Sequence, residues 1–385
     1  MAGSDKNTDK RFRSKRVTVK LSVVIVGSGI IGASVALACQ DLGADVTVVD
    51  QGPLGGVASR NSFGWINASF AETQEYFELR HAALVEFRAL DQRLGLGDHM
   101  RWQGTLWWED AGMDFMAQFN TLTQRGYLAK LVVQADIAAL EPQFRHPPQQ
   151  AILTTTEGAA QAQSVALAIL VEFARRGGSL RDHTSVTGVK QVAGRIASVH
   201  TDAGDLSCDV VVLATGAAAQ STLSGLDWAL PMANEQGMIL QTAPVSQAIN
   251  HILMTPDVHF RQNPDGSFVA GEIFSGEIDP NVNTQDLAAE VVTRIQAKLC
   301  DVPKLRLAEV KIGTRPVPFD GLPVVGAVPG VQGAYVAVMH SGVTLGPLVG
   351  QLLASEILKG VQSSLLSQFR PSRFLSQAYK ARSLR

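Results

Sequence analysis

The sequence predicts an α/β fold in which parallel-type strand–helix units at both ends of the chain bracket an antiparallel insertion. Three observations carry that expectation. "VVIVGSGIIG" (23–32) is a short apolar strand run that breaks at glycines into an apolar helix. "DVVVLATGA" (209–217) and "GAYVAVMHSGVTLGP" (333–347) repeat this strand-into-glycine-turn style late in the chain. Between about 231 and 313 the pattern changes to short alternating runs with polar turns such as "NPDG" (263–266), which predicts an antiparallel sheet. At 385 residues the chain exceeds what one core covers, so two domains are expected.

The composition, 46% apolar and 18% charged, supports a large core and excludes a disordered chain. A net charge of −2 argues against a nucleic-acid footprint. The basic residues cluster only in "KRFRSKRVTVK" (10–20), read as part of a flexible, solvated tail over 1–20. Cys39, Cys208 and Cys300 are odd in number and far apart, so neither disulfides nor a metal site is expected, and the cytoplasm is the expected compartment. The uncharged run 21–39 has the length of a membrane span, but its glycines fall where a strand must turn into a helix. No membrane span is therefore expected.

Each element follows in order. After the first strand comes G-x-G-x-x-G: Gly27 permits a tight turn, Gly29 lets a pyrophosphate approach the backbone, and Gly32 lets helix and strand pack closely. The helix ends near Leu42, with Gly43 available as its cap. "DVTVVD" (45–50) is the next parallel strand, and Asp50 ends it where a carboxylate accepts both ribose hydroxyls. Strand, helix, strand and acid together predict dinucleotide binding. The small and hydroxylated stretch "GPLGGVASRNSFGWINAS" (52–69) favours FAD over NAD, because it suits a chain continuing past the pyrophosphate. No second G-x-G-x-x-G exists, so electrons taken from a substrate leave to oxygen or to another protein. A serine nucleophile elbow at Ser62 is disfavoured by Arg60, which stands where a glycine is required.

Residues 73–94 place Phe77, Leu84, Phe87, Leu90 and Leu94 at helical spacing. "MRWQGTLWWED" (100–110) reads as a strand, Met113 to Arg125 as a helix, and "ADIAALEPQF" (135–144) as a short helix stopped at Pro142. A helix from Ser164 to Arg176 and a strand around Thr184–Val189 follow. The last helix is expected to hold Pro347 in its first turn. A discontinuous nucleotide domain over 21–72, 150–228 and 310–385 is therefore expected, with a substrate domain over 73–149 and 229–309.

The opening fingerprint with Asp50, "GGVASRNSFG" (55–64), "ADIAALEP" (135–142), "EGA" (157–159), "SVTGV" (185–189), "LATGA" (213–217), "NPDGSFVAGE" (263–272), "GTRPVPFDGLPVVG" (313–326), "HSGVTLGP" (340–347) and "FRPSRF" (369–374) occur in this order. On them, from Val23 to Phe374, the chain resembles the D-amino-acid-oxidase-like flavoproteins, which include glycine oxidase and sarcosine oxidase. The resemblance implies a Rossmann-type FAD-binding domain of the glutathione-reductase-like variant, interleaved with an α+β substrate domain whose antiparallel sheet covers the flavin. It implies cofactor contacts from Gly27, Gly29, Ile30 and Ile31, from Asp50 and its neighbour Gln51, and from Ala58, Ser59, Phe63, Gly64 and Trp65. Val186, Gly216, Gly342, Val343 and Thr344 complete the implied set. Relatives that attach FAD covalently use a cysteine just after the arginine loop or a histidine near the start; this chain has neither, so FAD is expected to be non-covalent.

From the residues alone Arg315 is a solvated cation, a partner of Asp320, or a clamp for an anion; the resemblance implies that it holds the substrate carboxylate, with Asp320 a turn residue before Gly321. His340 stands where glycine-oxidase-like members carry an arginine, and His259 near where relatives place a tyrosine. Arg261 and Lys311 are weaker candidates. The implied reaction is hydride transfer from a small amino or imino acid (glycine, sarcosine, iminodiacetate, proline-like or D-amino acid) to flavin N5, then hydrolysis of the imine and re-oxidation by O2. Two other readings are a dehydrogenase or subunit that passes electrons to a protein acceptor, and a flavin-binding redox sensor without turnover. Substrate identity and oligomeric state are not readable from the sequence.

Overall fold

The computed structural model describes residues 20–108, 113–219, 226, 228, 230–273, 278–279 and 281–375. Apart from Lys20, the expected tail lies outside the described residues. The valine-rich runs form a six-stranded sheet in the order Val324–Ala327, Ala334–Val338, Val210–Leu213, Ser22–Val26, Asp45–Val49, Ser179–Arg181, parallel except at the Val324–Ala327 edge. These strands read as unbroken apolar runs because both faces are covered. Val23 and Ile25 point into the helix-side core, whereas Val24 and Val26 pack with Ile196 and Val199 of a three-stranded antiparallel sheet, Val186–Val192, Arg195–Thr201 and Gly204–Ser207. The strand expected at Thr184–Val189 is thus shifted to Val186–Val192 and is the first of three.

On the helix side, Ile30–Asp41 packs against the last helix, Gly342–Lys359. Gly342, Gly346 and Gly350, one turn apart, let the two backbones approach: a Cβ on Gly350 would stand 2.7 Å from the Ser34 carbonyl. Because this helix starts at Gly342, Pro347 sits in its second turn, not its first. Gln74–Leu94 is capped by Thr73, whose side chain accepts from Tyr76 N, and ends at left-handed Gly95.

The second large sheet has eight strands, in the order Leu307–Pro318, Met232–Thr242, Phe268–Ile273, His259–Gln262, Ile252–Met254, Thr105–Trp107, Gln150–Thr154, Ala129–Val133. Two expected domain boundaries, at 149/150 and 309/310, cut this sheet. The single strand expected at 100–110 is split by Gly104, whose φ is +72. Met100–Arg101 joins Trp65–Ile66 and Gly158–Ala160 in a small sheet, Thr105–Trp107 joins the large one, and residues 109–110 lie outside the described residues. The stretch 231–313 is not all strand. It includes the helix Thr284–Lys298, whose Asn283 cap accepts from Gln285 N and Asp286 N and whose Ala288, Val291, Val292 and Ile295 are buried at helical spacing.

Candidate active site

The carboxyl ends of the parallel strands gather the expected nucleotide residues. Strand order reverses beside Ser22–Val26, which is where open α/β sheets leave a crevice. Gly27 turns with φ +104, and a Cβ there would stand 2.4 Å from Ala214 O; a Cβ on Gly32 would stand 1.9 Å from Gly27 O. Only glycine serves at either position. The first helix, Ile30–Asp41, has Gly29 at its N-cap, which offers no side-chain cap, so first-turn amides other than that of Ile30 are left for an anion. Ser59 Oγ accepts from Ile30 N at 3.1 Å and ties the Val57–Arg60 turn, with Ala58, to this helix start. Ser28 organises the acid: its N and Oγ donate to Asp50 Oδ2 at 2.8 and 2.6 Å, and Gly52 N donates to Oδ1 at 3.0 Å. The Asp50 carbonyl accepts from Thr184 N at 2.9 Å, which sets the strand starting at Val186 beside it. Gln51, next in line, is exposed.

The loop carrying Phe63, Gly64 and Trp65 is held from three sides. Arg261, 2% exposed, reaches across from the eight-stranded sheet, donating from Nε to Phe63 O at 2.6 Å and from Nη2 to Ala160 O at 3.2 Å, and pairing with Asn263 Oδ1. Burial pulls its guanidinium down to about 10, so it stays charged at neutral pH. Glu157, fully buried, accepts from Trp65 Nε1 (3.0 Å), Thr105 Oγ1 (2.7 Å) and Tyr127 OH (2.9 Å), fixing the indole. Thr344 Oγ1 donates to Trp65 O at 3.3 Å and accepts from Asn67 N at 3.2 Å. The start of the last helix, with Gly342 and Val343, thereby meets both this loop and Ile31, whose side chain would lie 3.4 Å from a Cβ on Gly342.

Arg315 is half-buried and is not paired with Asp320. Asp320 instead accepts from Leu322 N in its turn and from Arg373 through both oxygens. Residues opposed in a ladder share a sheet face; Arg315 is directly opposite Glu235, and its Nη2 pairs with the Glu235 carboxylate. Arg315 Nη1 lies 3.4 Å from His340 Nε2, while Arg315 Nε is buried with no acceptor. Gly216 sits behind, its would-be Cβ 3.9 Å from Pro316. His340 keeps an open edge to solvent, yet crowding by protein and then the cations Arg315 and Arg80 hold it down to about 4. Arg315, a pure donor, therefore faces a neutral ring whose Nε2 accepts, with the proton on Nδ1.

Arg80, Glu235 and Glu157 are the residues that sequence reasoning missed. Arg80 is 6% exposed and donates to Asn67 O at 3.0 Å and Phe70 O at 3.2 Å. Its signal was available: an arginine three residues after Phe77 and four before Leu84, on an otherwise apolar stripe. His259 shares the sheet face of the Arg315 rung but stands three strands away, opposite Gly271. Lys311 lies one residue pair beyond Gly313 on that face and pairs with Glu309 at 2.8 Å. A cleft of about 210 Å³ opens between Ser59 and Ser62 on one side and Gln241, Arg261 and Lys311 on the other; Arg315 and His340 do not line it.

The cradle of Gly27, Gly29 and Gly32, the uncapped helix start and the acid at the strand end fit a dinucleotide. The comparisons agree. The family described as FAD dependent oxidoreductase matches residues 22–356. Glycine oxidase of Pseudomonas putida is 26% identical over 354 residues, covering 88% of this chain and 95% of that protein. Among solved structures, L-amino acid deaminase from Proteus vulgaris superposes with a TM-score of 0.83 at 19% identity over 92% of this chain and 94% of that one. Glycine oxidase from Geobacillus kaustophilus gives 0.82 at 20% identity over 91% and 98%. At such identities the structural likeness establishes the fold alone. No helix among the described residues is long and apolar enough to cross a membrane.

Proposed function

We propose, from the premise that this chain belongs to the family of FAD-dependent oxidoreductases, that it oxidises the C–N bond of a small amino or imino acid whose carboxylate is held by Arg315. The observation that supports this most is the state of the guanidinium. It projects from the substrate-side sheet where the Gly216 turn and the last helix meet, and its Nε has no acceptor although buried. A buried donor left unpaired costs about 1–3 kcal/mol, which an incoming carboxylate would recover.

FAD, when bound, supplies a two-electron acceptor in its isoalloxazine ring. Asp50 would accept from the adenosine ribose, the Gly29 and Ile31 amides would face the pyrophosphate with Ser59 Oγ holding the Ile30 amide between them, and Phe63 to Trp65 with Gly342 to Thr344 would form the flavin end. The amides that open the last helix would place partial positive charge at that end, which would favour a bound flavin that carries negative charge. Arg315 fixes the acid and thereby the direction of its Cα–H, so binding becomes orientation. His340, neutral at working pH, adds no second cation beside the substrate amine. The imine product hydrolyses to an oxo acid and an amine. Glycine oxidase and L-amino acid deaminase, by their names, act on amino acids, which supports the substrate class without choosing a member.

The test is to purify the yellow protein and mix it without oxygen with a panel of amino and imino acids, recording which bleaches the flavin. Return of colour in air marks an oxidase; persistence of the bleached form marks a dehydrogenase that needs a protein acceptor. Acid precipitation should release the FAD into the supernatant. A colourless protein that takes up no FAD, or bleaching unaffected by Arg315→Ala, would overturn the reading.

A further inference from the structure

We infer that Glu235 recognises the substrate's amino group and makes the site select zwitterions over plain carboxylates. The inference rests on the proposed role of Arg315. Glu235 is fixed opposite Arg315 by an eleven-residue strand, Met232–Thr242, and pairs with its Nη2. The pair is not a buried girder: the side chains are 24% and 35% exposed, and exposed pairs contribute only about 0–1 kcal/mol to folding. Stability alone is therefore a weak reason to hold a carboxylate there.

The surroundings give it a better one. The next rung of the same face is Gly237 opposite Gly313, so on that side the rung itself adds no side chain and the stem of Arg315 lies 3.6 Å from a would-be Cβ on Gly237. The charged groups near His340 are the cations Arg315 and Arg80. Glu235 is the anion in contact with Arg315, and as a carboxylate it only accepts hydrogen bonds. A carboxylate without an amine, arriving at Arg315, meets the like charge of Glu235 and must part the pair. An amino or imino acid brings its own donors: its carboxylate accepts from Nε–H, which points along the edge shared with Nη2, and its ammonium satisfies Glu235 beside it. Discrimination built from such a repulsive element is the usual route to specificity against a near relative.

The matched ligands for the test are 2-aminoisobutyrate, which has no Cα–H and so cannot be oxidised, and isobutyrate, the same skeleton without the amine. Binding to the yellow holoenzyme is followed by calorimetry and by the shift of the flavin's visible spectrum. The wild type should bind 2-aminoisobutyrate more tightly. In Glu235→Gln, isobutyrate should bind about tenfold tighter and 2-aminoisobutyrate about tenfold weaker, the change expected for one charge-assisted hydrogen bond. Glu235→Asp should keep the wild-type order of the two. Shifts of the same sign for both ligands, or a ratio of the two constants unchanged within about twofold, overturns the inference. If Glu235→Gln does not hold FAD, the wild type decides alone: tighter binding of isobutyrate, or no binding of either ligand, sinks it. An Arg315→Lys control separates the two claims, since ligand binding indifferent to residue 315 removes the proposed function and not only this refinement.

Discussion

Arg315 and His340 make contact from opposite sheets, and each constrains what the other can do. Arg315→Lys keeps the charge but loses the fork, so the affinity for a carboxylate should fall by about tenfold to a hundredfold, read from ligand titration of the flavin spectrum. His340 is held at about 4 in the folded protein against 6.5 ordinarily. Between those values the unfolded chain binds more protons, so the stability due to the neutral ring is complete above pH 6.5 and is lost as pH falls towards 4. Replacing it by glutamine should narrow the gap between denaturation midpoints measured at pH 7 and pH 4.5. The pH profile of kcat/KM between 6 and 8 should be the same in both proteins. The arginine stood out between a threonine and a proline, though the stretch is strand and not loop, and its proposed role as a clamp came from the resemblance and not from the pattern. Its partner did not stand out, because Glu235 lies eighty residues earlier and only the ladder register brings them together.

At the scale of elements, the opening turn was readable to the residue, because each glycine answers to a local steric demand. Gly32→Ala would drive a Cβ to 1.9 Å from the Gly27 carbonyl, beyond ordinary overpacking, and should cost more than about 3 kcal/mol. The expected result is a protein of reduced melting temperature with little bound FAD. The helix Thr284–Lys298 shows the opposite case: its apolar spacing and Asn283 cap were present, but polar turns on both sides drew the whole stretch into a sheet reading. Arg261, weighed as a weak substrate candidate, proves to be a strut between elements. Arg261→Met leaves the Phe63 and Ala160 carbonyls without donors and should lower stability by about 2–4 kcal/mol, measured by denaturant titration. Lysine, with a single ammonium, should restore only part of this.

For the molecule as a whole, the alternation of parallel and antiparallel segments predicted a mixed α/β fold, and the parallel six-stranded and largely antiparallel eight-stranded sheets bear that out. Where borders fall was hidden, because the strand Leu307–Pro318 runs through the expected boundary at 309/310, and Gln150–Thr154, which starts at the one at 149/150, pairs with Ala129–Val133 on its far side. Sheet membership depends on partners far away in the chain, which no local pattern records. FAD bound only by the folded form should raise the melting temperature in proportion to the logarithm of its free concentration, and a melting point indifferent to added FAD would contradict the cradle described. The close embrace of Ile30–Asp41 by Gly342–Lys359 carries a consequence for biosynthesis. A ribosome releases the fingerprint turn well before the helix that packs on it, so on the proposed reading a nascent chain would have nowhere to keep the vitamin-derived ring until Gly342–Lys359 has emerged. Loading would then follow the emergence of that helix, and riboflavin scarcity would leave folded, empty polypeptides.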